Sequence, residues 1–396
     1  MATVDPISDV LTAAPRPAAS LLVMVAAMPP EQFESLLANL AAAFAAESLL
    51  IAAQNEFASN PFPDLRIVAA PPTGAAWSST AADFANAFQF AEAEGVRAIL
   101  MLGPGSCSLS PMALRQLASA VLTETVDLAV PCYTLPPHAG LINGAILYPL
   151  TRALFATRVR FPQAVDLCLS PRMAERLAVT AQRFTAANQT DALIWPVNEA
   201  IAAGFITDEF EVGPRALPQP ADADINAILS LVTGSLFADI EAKAAVWQRP
   251  RRLPPQRRST PDAPLADGTA EVARMIESFR FAYSNLQEIW SLVLPPNTLL
   301  ALKRLSIADP AEFRMPESLW ARIVFDFLIA YRLRTINRGH LLGALIPLYL
   351  GWVAGHINVT AAGTGSERHI EAVAAAFEAD KPYMVSRWRW PDRFNS

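Results

Sequence analysis

Short apolar segments alternate with longer amphipathic segments between residues 20 and 135. The first two apolar segments, LLVMVAA at Leu21–Ala27 and LLIAA at Leu49–Ala53, have the length and composition of buried strands. Between them, Glu31–Ala46 carries apolar residues every three or four positions, which predicts a helix. These apolar residues are Phe33, Leu36, Leu37, Leu40 and Phe44.

The same alternation continues and predicts a layered α/β fold. Three more strands and two more helices are expected, at Leu65–Ala69, Arg97–Leu102, Asp127–Pro131, Thr80–Glu94 and Pro111–Thr123. Short strands separated by helices of this length indicate a mostly parallel sheet with helices on both faces. Ligands bind beyond the carboxyl ends of such strands, so chemistry is expected in the loops that follow them. These loops are 27–31, 54–58 and 103–110.

Composition divides the chain into four parts. Residues 1–19 are predicted to be a flexible N-terminus without the pattern of a secretory signal. Residues 20–247 hold the sheet domain, whose second half continues with helices and short strands. Residues 248–267 are rich in proline and arginine, which predicts a linker or loop. The pattern of residues 268–396 is almost wholly helical.

One nearly charge-free segment, Leu341–Val359, approaches the length of a membrane span. Pro347, His356 and Asn358 interrupt it, as do three glycines. A pair of buried helices is therefore expected, and membrane association is the weaker alternative.

The overall composition excludes two classes of protein. Hydrophobic residues make up 53% of the chain and charged residues 17%, which is the opposite of the balance in disordered chains. The net charge of −6 argues against a nucleic-acid partner, which would favour a basic face. The three cysteines are widely spaced and form neither a disulfide framework nor a metal knuckle, so a cytoplasmic location is expected.

Several stretches together resemble a known family. They are DLAVPCYTLPPHAGLINGAILYPLTRALFATRVRFPQAVDLCLS (127–170), IWPVNEAIAAGF (194–205), EVGP (211–214), VTGSLF (232–237), ALIPLYLG (344–351) and FEADKPYMVSRW (377–388). Over about residues 20–390 the chain is similar to family 2-like GT-A glycosyltransferases of the mannosylglycerate and glucosyl-3-phosphoglycerate synthase group. The resemblance implies a GT-A fold, a nucleotide-sugar donor, a divalent metal and a small sugar acceptor.

The metal motif of that family is missing from this chain. In the family, an Asp-x-Asp motif after a strand holds Mg²⁺ or Mn²⁺ against the leaving pyrophosphate, because hard cations need carboxylate ligands. Here the strand RAILML is followed by Gly103-Pro104-Gly105-Ser106, so Gly103 and Gly105 stand in place of the two aspartates. Neither can bind a metal by its side chain, and we expect no Mg²⁺ or Mn²⁺ cofactor.

Other family positions have changed as well. The metal-binding histidine expected after a Gly-Pro pattern is absent, since Gly213-Pro214-Arg215-Ala216 runs into Leu217. The Gly-Gly-Asp beside the acceptor reads Ala164-Val165-Asp166, which keeps the aspartate and loses both glycines. Without those glycines, the backbone approach to a ligand would be more crowded.

The remaining polar groups suggest where a site could persist. The donor loop Gly103–Ser106 could form an anion-binding nest through its backbone N–H groups, although a simple turn is favoured. Arg152, Arg158 and Arg160 could neutralise a pyrophosphate in place of a metal. The alternative for Arg152 is a structural ion pair or helix cap.

Asp166 is the best remaining acid. It would orient an acceptor hydroxyl or act as its base, or else cap the helix or turn that starts near Ser170. Tyr133 and His138 are placed on the loop after the fifth strand, where the family binds its acceptor, although no catalytic triad accompanies them.

Two functions follow from these observations. The first is a glycosyltransferase with an altered, metal-independent donor site that takes a nucleotide sugar and a small acceptor. The second is a non-catalytic pseudoenzyme that binds a sugar compound or a protein partner. Both allow a homo-oligomer, and in both the metal-dependent activity of the family is expected to be absent.

Overall fold

The central sheet has seven strands in the order β3-β2-β1-β4-β6-β5-β7. The computed structural model describes residues 19–54, 62, 65–72, 77–215, 217, 224–255 and 269–391. The strands are β1 (Leu21–Val25), β2 (Leu49–Ala53), β3 (Arg66–Ala69), β4 (Ala98–Leu102), β5 (Leu128–Thr134), β6 (Leu167–Leu169) and β7 (Thr207–Pro214). All neighbouring pairs are parallel except those of β6, which runs antiparallel to β4 and β5.

Helices cover the sheet and form a second layer of their own. In the first half of the chain they are α1 (Pro30–Ala43), α2 (Ala81–Glu94), α3 (Pro111–Leu122), α4 (Tyr148–Phe155), α5 (Pro171–Ala186), α6 (Pro196–Ala203), α7 (Ile225–Ala242) and α8 (Ala244–Trp247). The C-terminal helices are α9 (Thr269–Ser291), α10 (Pro296–Ser306), α11 (Glu317–Leu333), α12 (Arg338–Ala361) and α13 (Ser366–Arg389). The predicted fold class is confirmed: a mostly parallel sheet with helices, and a helical C-terminal region.

The five strands predicted from apolar segments all form. Strands β1, β2 and β4 are buried along their whole length, which explains why their sequences are continuously apolar. The fifth predicted strand extends further than expected, to Thr134. Tyr133 therefore lies within β5 and is buried, not on the loop after it.

Local capping explains where two helices begin. The hydroxyls of Ser110 and Ser170 accept hydrogen bonds from the backbone N–H three residues ahead, and a proline follows each serine. A serine cap followed by proline is a typical start of a helix. Ser170 thus caps α5 itself, so the predicted capping role of Asp166 is wrong.

A second apolar core joins the C-terminal helices to α4 and α7 of the first half. Tryptophans connect its layers: the indole Nε1–H of Trp320 donates to the carbonyl of Ala145 at 2.8 Å, and that of Trp290 donates to the carbonyl of Ala344 at 2.9 Å. The predicted boundary near residue 250 therefore separates two stretches of sequence that share one core.

The apolar segment Leu341–Val359 lies within one continuous helix, α12, that contains Pro347. The expected pair of helices is therefore wrong. Of the described helices, α7 and α12 are long and apolar enough to cross a membrane by length and composition. In α12, 72% of the most apolar window is buried inside the protein, as in the core helices of soluble proteins. The predicted N-terminal segment up to residue 18, loop residues 55–58 and linker residues 256–267 lie outside the described residues.

Candidate functional site

A small cleft lies at the carboxyl ends of β1 and β4, where the sequence predicted the donor site. The ends of both strands line it, with Gln54, Ser78, Asp83 and the first residues of the donor loop. Its cavity volume is about 30 Å³, which is room for one or two water molecules. Pockets for small molecules typically measure about 300–1,000 Å³. The cleft formed by the described residues is therefore much smaller than such a pocket.

Gly103, the first residue of the donor loop, is packed tightly against Val165. A Cβ added to Gly103 would lie 2.8 Å from the Cβ of Val165 and 3.3 Å from its carbonyl oxygen. Val165 stands where the resembling family has a glycine, and Gly103 stands where that family has an aspartate. The two departures are therefore complementary, because the side chain of Val165 takes the space that a side chain at position 103 would need.

The rest of the donor loop forms a turn. Gly105 has a φ of +75° and is followed by a single 3-10 turn over Ser106–Ser108. The backbone N–H of Ser108 donates to the carbonyl of Gly105, and that of Ser106 to the carbonyl of Gly103. The N–H of Gly103 itself donates to Oδ1 of Asp166 at 3.0 Å. Its N–H is thus already committed within the protein, which favours the turn over an anion-binding nest.

Asp166 is completely buried, with an exposed fraction of 0%. Besides Gly103, its carboxylate accepts a hydrogen bond from the hydroxyl of Tyr133 at 2.9 Å. Burial and the charge of Asp166 raise the pKa of Tyr133 well above its ordinary value, so this phenol stays protonated as a donor. Asp166 therefore joins β5 to the donor loop. Because its side chain is completely buried, the hydroxyl of an acceptor cannot reach the carboxylate in this conformation.

Arg215 completes the surroundings of Asp166, and its role was not predicted from the sequence. Its Nε lies 3.0 Å from Oδ2 of Asp166 and its Nη2 lies 3.2 Å from Oδ1. The same Nη2 donates to the carbonyl of Pro104 at 2.9 Å. Both side chains of the pair are 0% exposed. The guanidinium of Arg215 therefore connects the donor loop at Pro104 to Asp166.

The residues around the donor loop do not fit a divalent cation. Gly103 and Gly105 offer no carboxylate, and the guanidinium of Arg215 already brings a positive charge to Asp166. Asp83, on the wall of the small cleft, accepts hydrogen bonds from the backbone and the hydroxyl of Thr80 at the start of α2. Across the ranges that the structure describes, no group of three or more His, Cys, Asp or Glu side chains could hold a metal ion.

The other predicted candidates lie apart from Asp166. Arg152 forms ion pairs with Glu371 at 2.5 Å and with Glu378 at 2.9 Å, which connect α4 to α13. Arg160 is buried in an ion pair with Glu367 at 2.9 Å. The structure therefore brings Tyr133, Asp166 and the donor loop together. Arg158 and Arg160 instead line a second cleft, whose lining does not include Arg152.

This second cleft, which we call the β7 groove, is much larger. It is bounded by β7, by one face of α3, by residues 157–160 and by the start of α13, and its volume is about 1480 Å³. Arg158 and Arg160 line it, together with Glu209 of β7. Burial raises the pKa of Glu209 to about 7, although its Oε1 accepts a hydrogen bond from the backbone N–H of Arg160. Among the described residues that line the groove are Cys132 and Pro214, the chain neighbours of Tyr133 and Arg215, but not Asp166, Tyr133, Arg215 or Gly103 themselves.

His138 lies near a buried histidine pair that joins the helical region to the loop after β5. Nδ1 of His356 is 2.7 Å from Nδ1 of His369, and Nε2 of His356 is 3.2 Å from Oγ of Ser366. The Ser366 hydroxyl donates to the carbonyl of Pro137, so it accepts from His356. His356 then carries its proton on Nε2, and its Nδ1 accepts from His369.

This arrangement makes His356 a destabilising group in mild acid. Burial lowers the pKa of His356 to about 3, whereas an unfolded histidine titrates near 6.5. The folded state therefore disfavours protonation, and the stability that the neutral His356 contributes is complete above about pH 6.5 and shrinks as the pH falls toward 3. Between pH 6.5 and 5.0 we expect this contribution to fall by about 2 kcal/mol. Burial raises the pKa of Glu209 and of Asp326 to about 7, and these two carboxyls act in the opposite direction. The His356 contribution is therefore read from urea titrations of the protein and of a His356 variant at the two pH values.

A matched pair of variants assigns this pH dependence to His356. Relative to the unchanged protein, His356→Gln should be about 2 kcal/mol less sensitive to the fall from pH 6.5 to 5.0, whereas His340→Gln, at an exposed histidine, should show the same pH dependence as the unchanged protein. An unchanged slope in His356→Gln would contradict the assignment.

No protein-family model matches the sequence, and no curated protein matches it. Similar solved structures include one described as a mycobacterial protein, at 11% identity over 63% of this chain and 80% of that chain, with a TM-score of 0.36. Another is glucosyl-3-phosphoglycerate synthase from Mycobacterium tuberculosis with Mn²⁺, UDP-glucose and phosphoglyceric acid, at 11% identity, coverages of 61% and 82%, and a TM-score of 0.36. The same synthase with Mn²⁺ and UDP-glucose is 12% identical over 56% of this chain and 79% of that chain, with a TM-score of 0.35. TM-scores this low establish neither ligands nor activity for this chain.

Proposed function

We propose that this protein is a glycosyltransferase-like scaffold that acts as a binding module and does not carry out metal-dependent sugar transfer. The observation that supports this proposal most strongly is the buried Arg215–Asp166 pair beside the donor loop. An internal cation already pairs with Asp166 there, whereas metal-dependent sugar transfer needs an exchangeable Mg²⁺ or Mn²⁺ held by free carboxylates.

The space around the donor loop supports the same proposal. Val165 fills the position that a carboxylate side chain at residue 103 would need, so a single substitution does not rebuild the metal motif. The adjoining cleft of about 30 Å³ is smaller than a nucleotide by an order of magnitude. Restoring the parent chemistry would require coordinated changes at Gly103, Gly105, Val165 and Arg215. A cytoplasmic location and self-association remain predictions from the sequence.

Nucleotide sugars are the ligands to test first, because UDP-glucose is named in two of the similar solved structures. We expect UDP-glucose, GDP-mannose and ADP-glucose, each with and without Mn²⁺, to leave the thermal unfolding midpoint unchanged. A ligand that binds only the folded state would raise it by mass action. Consumption of each nucleotide sugar in the presence of phosphoglyceric acid, followed by nucleotide release, should stay at the rate of a protein-free control.

Two results would contradict or change this proposal, and one control shows that a response requires the folded protein. A midpoint that rises with a nucleotide sugar only when Mn²⁺ is present would contradict the proposal. A rise without metal, accompanied by turnover, would instead show a metal-independent transferase. A heat-denatured sample should give neither response.

A further inference from the structure

The β7 groove contains buried polar atoms that the protein itself leaves without a partner. Among the described residues that line it, Arg158, Arg160 and Thr207 each have one such atom, Nη1 in both arginines and Oγ1 in the threonine. Buried polar groups in folded proteins are nearly always paired, and an orphaned group calls for a ligand, an ion or an ordered water. Three orphaned atoms on one groove favour a ligand that carries hydrogen-bond acceptors.

Arg160 is held firmly beside β7, yet one part of its guanidinium is unused. The side chain is 5% exposed, and its Nε and Nη2 both donate to Glu367 at 2.9 Å. Its Cζ lies 5.1 Å from the ring centre of Tyr148 and 4.9 Å from that of Phe161. A guanidinium has five N–H donors in a rigid fork, so a carboxylate on Nε and Nη2 leaves Nη1 available for a second acceptor.

Two further arginines bring positive charge to the groove without a carboxylate of their own. Arg158 is half-buried, and its Nε donates to the carbonyl of Pro254 at 2.8 Å. Arg368 is exposed in the first turn of α13. Within the part of the chain that the structure describes, neither of these arginines forms an ion pair. Their charges are therefore available to a ligand.

Most acids that line the groove are already engaged within the protein. Glu367 and Glu371 each form an ion pair with a buried arginine. Asp208 accepts the backbone N–H of the next residue at 3.0 Å. Glu211 is exposed, where solvent and salt screen its charge. These carboxylates therefore oppose an anion less than their number suggests.

Glu209 is the remaining acid of the groove, and its charge depends on pH. Burial raises the pKa of Glu209 to about 7, although its Oε1 accepts the N–H of Arg160 at 2.6 Å. The charged groups around it are Arg160, Asp208 and Glu367. Below about pH 7 most of the Glu209 carboxyl is protonated, so it does not repel an anion there.

From these observations we propose that the β7 groove binds the terminal oxyanion of a small molecule, a phosphate or a carboxylate group, at Arg158, Arg160 and Thr207. Guanidinium groups bind both kinds of oxyanion through paired, charge-assisted hydrogen bonds. The groove volume of about 1480 Å³ leaves room for the body of the ligand. The diphosphate of a nucleotide sugar is flanked on both sides and offers no such end.

This inference rests on the proposed function, since it names a ligand class for the binding module, and it uses a surface separate from the donor loop. Sulfate is a suitable probe, because its charge is constant near neutral pH whereas that of a phosphate ester changes. We expect equilibrium dialysis of labelled sulfate, at constant ionic strength, to show one saturable site. Glycerol 3-phosphate or citrate should displace the sulfate, and neutral glycerol should not. The better competitor identifies phosphate or carboxylate as the preferred group.

Variants of the protein locate the site. Arg158→Gln should weaken sulfate binding about tenfold through the loss of a charge-assisted hydrogen bond. Thr207→Val keeps the shape of the side chain, removes its hydroxyl and should weaken binding about threefold. Arg304→Gln removes the same charge at an exposed arginine of α10 that does not line the groove, and should leave binding unchanged. Circular dichroism shows whether each variant is folded.

Glu209 provides a second test that leaves the arginines in place. The protonated fraction of a group with a pKa of about 7 rises about tenfold from about pH 8 to about pH 6. Sulfate binding should therefore tighten by up to about tenfold over this range, as the repulsion from the carboxylate disappears. Glu209→Gln should remove this pH dependence, whereas Glu34→Gln, at an exposed position of α1, should keep it.

Three results would overturn the proposal. These are no saturable binding of sulfate, equal binding by Arg158→Gln and Arg304→Gln, and a sulfate that neither glycerol 3-phosphate nor citrate displaces, which would show a site for an inorganic ion only. If Arg158→Gln does not fold, Thr207→Val and the pH series of Glu209→Gln decide the question. No metal or nucleotide sugar enters these measurements, so failure here and failure of the proposed function are separately visible.

Discussion

Arg215→Met is expected to lower the free energy of unfolding by about 3–5 kcal/mol, the cost of leaving one member of a buried ion pair without its partner. Asp166 would remain completely buried with only Tyr133 and the N–H of Gly103 as donors. Urea unfolding followed by circular dichroism measures the change. The expected loss is a large part of the stability of a typical domain, which is about 5–15 kcal/mol.

Two controls identify the cause of that loss. Arg115→Met breaks an ion pair with Glu47 in which both side chains reach solvent, at 50% and 22% exposure, and should cost no more than about 1 kcal/mol. The double variant Asp166→Leu/Arg215→Met removes both charges and should recover much of the stability, because well-packed apolar groups can replace a buried pair. A loss below about 1 kcal/mol in Arg215→Met would contradict the assignment of Arg215 to this pair.

Gly103→Ala is expected to cost about 1–3 kcal/mol, because the added methyl group would lie 2.8 Å from the Cβ of Val165. Val165→Gly alone should cost about 3 kcal/mol through lost side-chain contacts, a small cavity and the greater backbone freedom of glycine. The double variant should cost little more than Val165→Gly, since removing the Cβ of residue 165 makes room for the methyl group at residue 103. The coupling energy, about 1–3 kcal/mol, is read from a double-mutant cycle in urea.

A glycine elsewhere supplies the control for this cycle. A Cβ at Gly343, inside α12, would meet no atom within 4 Å, so Gly343→Ala should stabilise the protein by about 0.5–1 kcal/mol. If the free-energy costs of the two single substitutions simply added in the double variant, positions 103 and 165 would not be energetically coupled, and the packing argument would fail.

The sheet could be predicted from the sequence because its central strands are buried on both sides. Continuous apolar segments such as Ala98–Leu102 leave little alternative to a core strand. Strand β7 carries three acids and only half-buried side chains along most of its length, so its pattern gives a weaker signal. The three-residue β6 is shorter than the segments that periodicity can recognise.

The candidate site could be predicted only in part. The loss of the metal motif at Gly103 and Gly105 is visible in the sequence, and so is the survival of Asp166. The ion pair of Asp166 with Arg215 joins residues 49 positions apart, and the contact of Gly103 with Val165 joins residues that are further apart still in the chain. Such contacts arise from the way the sheet brings loops together. The sequence shows Gly103 and Val165 as two separate departures from the pattern of the resembled family, and only the fold shows that these residues are in contact.

The functions of the predicted arginines depend on the same kind of long-range contact. Arg152 and Arg160 appeared available for a pyrophosphate, yet α13 brings Glu371, Glu378 and Glu367 to them from more than 200 residues away. The C-terminal helices thus neutralise charges that the sheet domain alone would leave available.

The most direct test of the central claim is a calorimetric titration of Mn²⁺ into the protein with UDP-glucose, and separately with GDP-mannose. We expect no heat beyond dilution, because Gly103 and Gly105 offer no carboxylate and Arg215 already pairs with Asp166. Micromolar Mn²⁺ binding that appears only in the presence of a nucleotide sugar would contradict it.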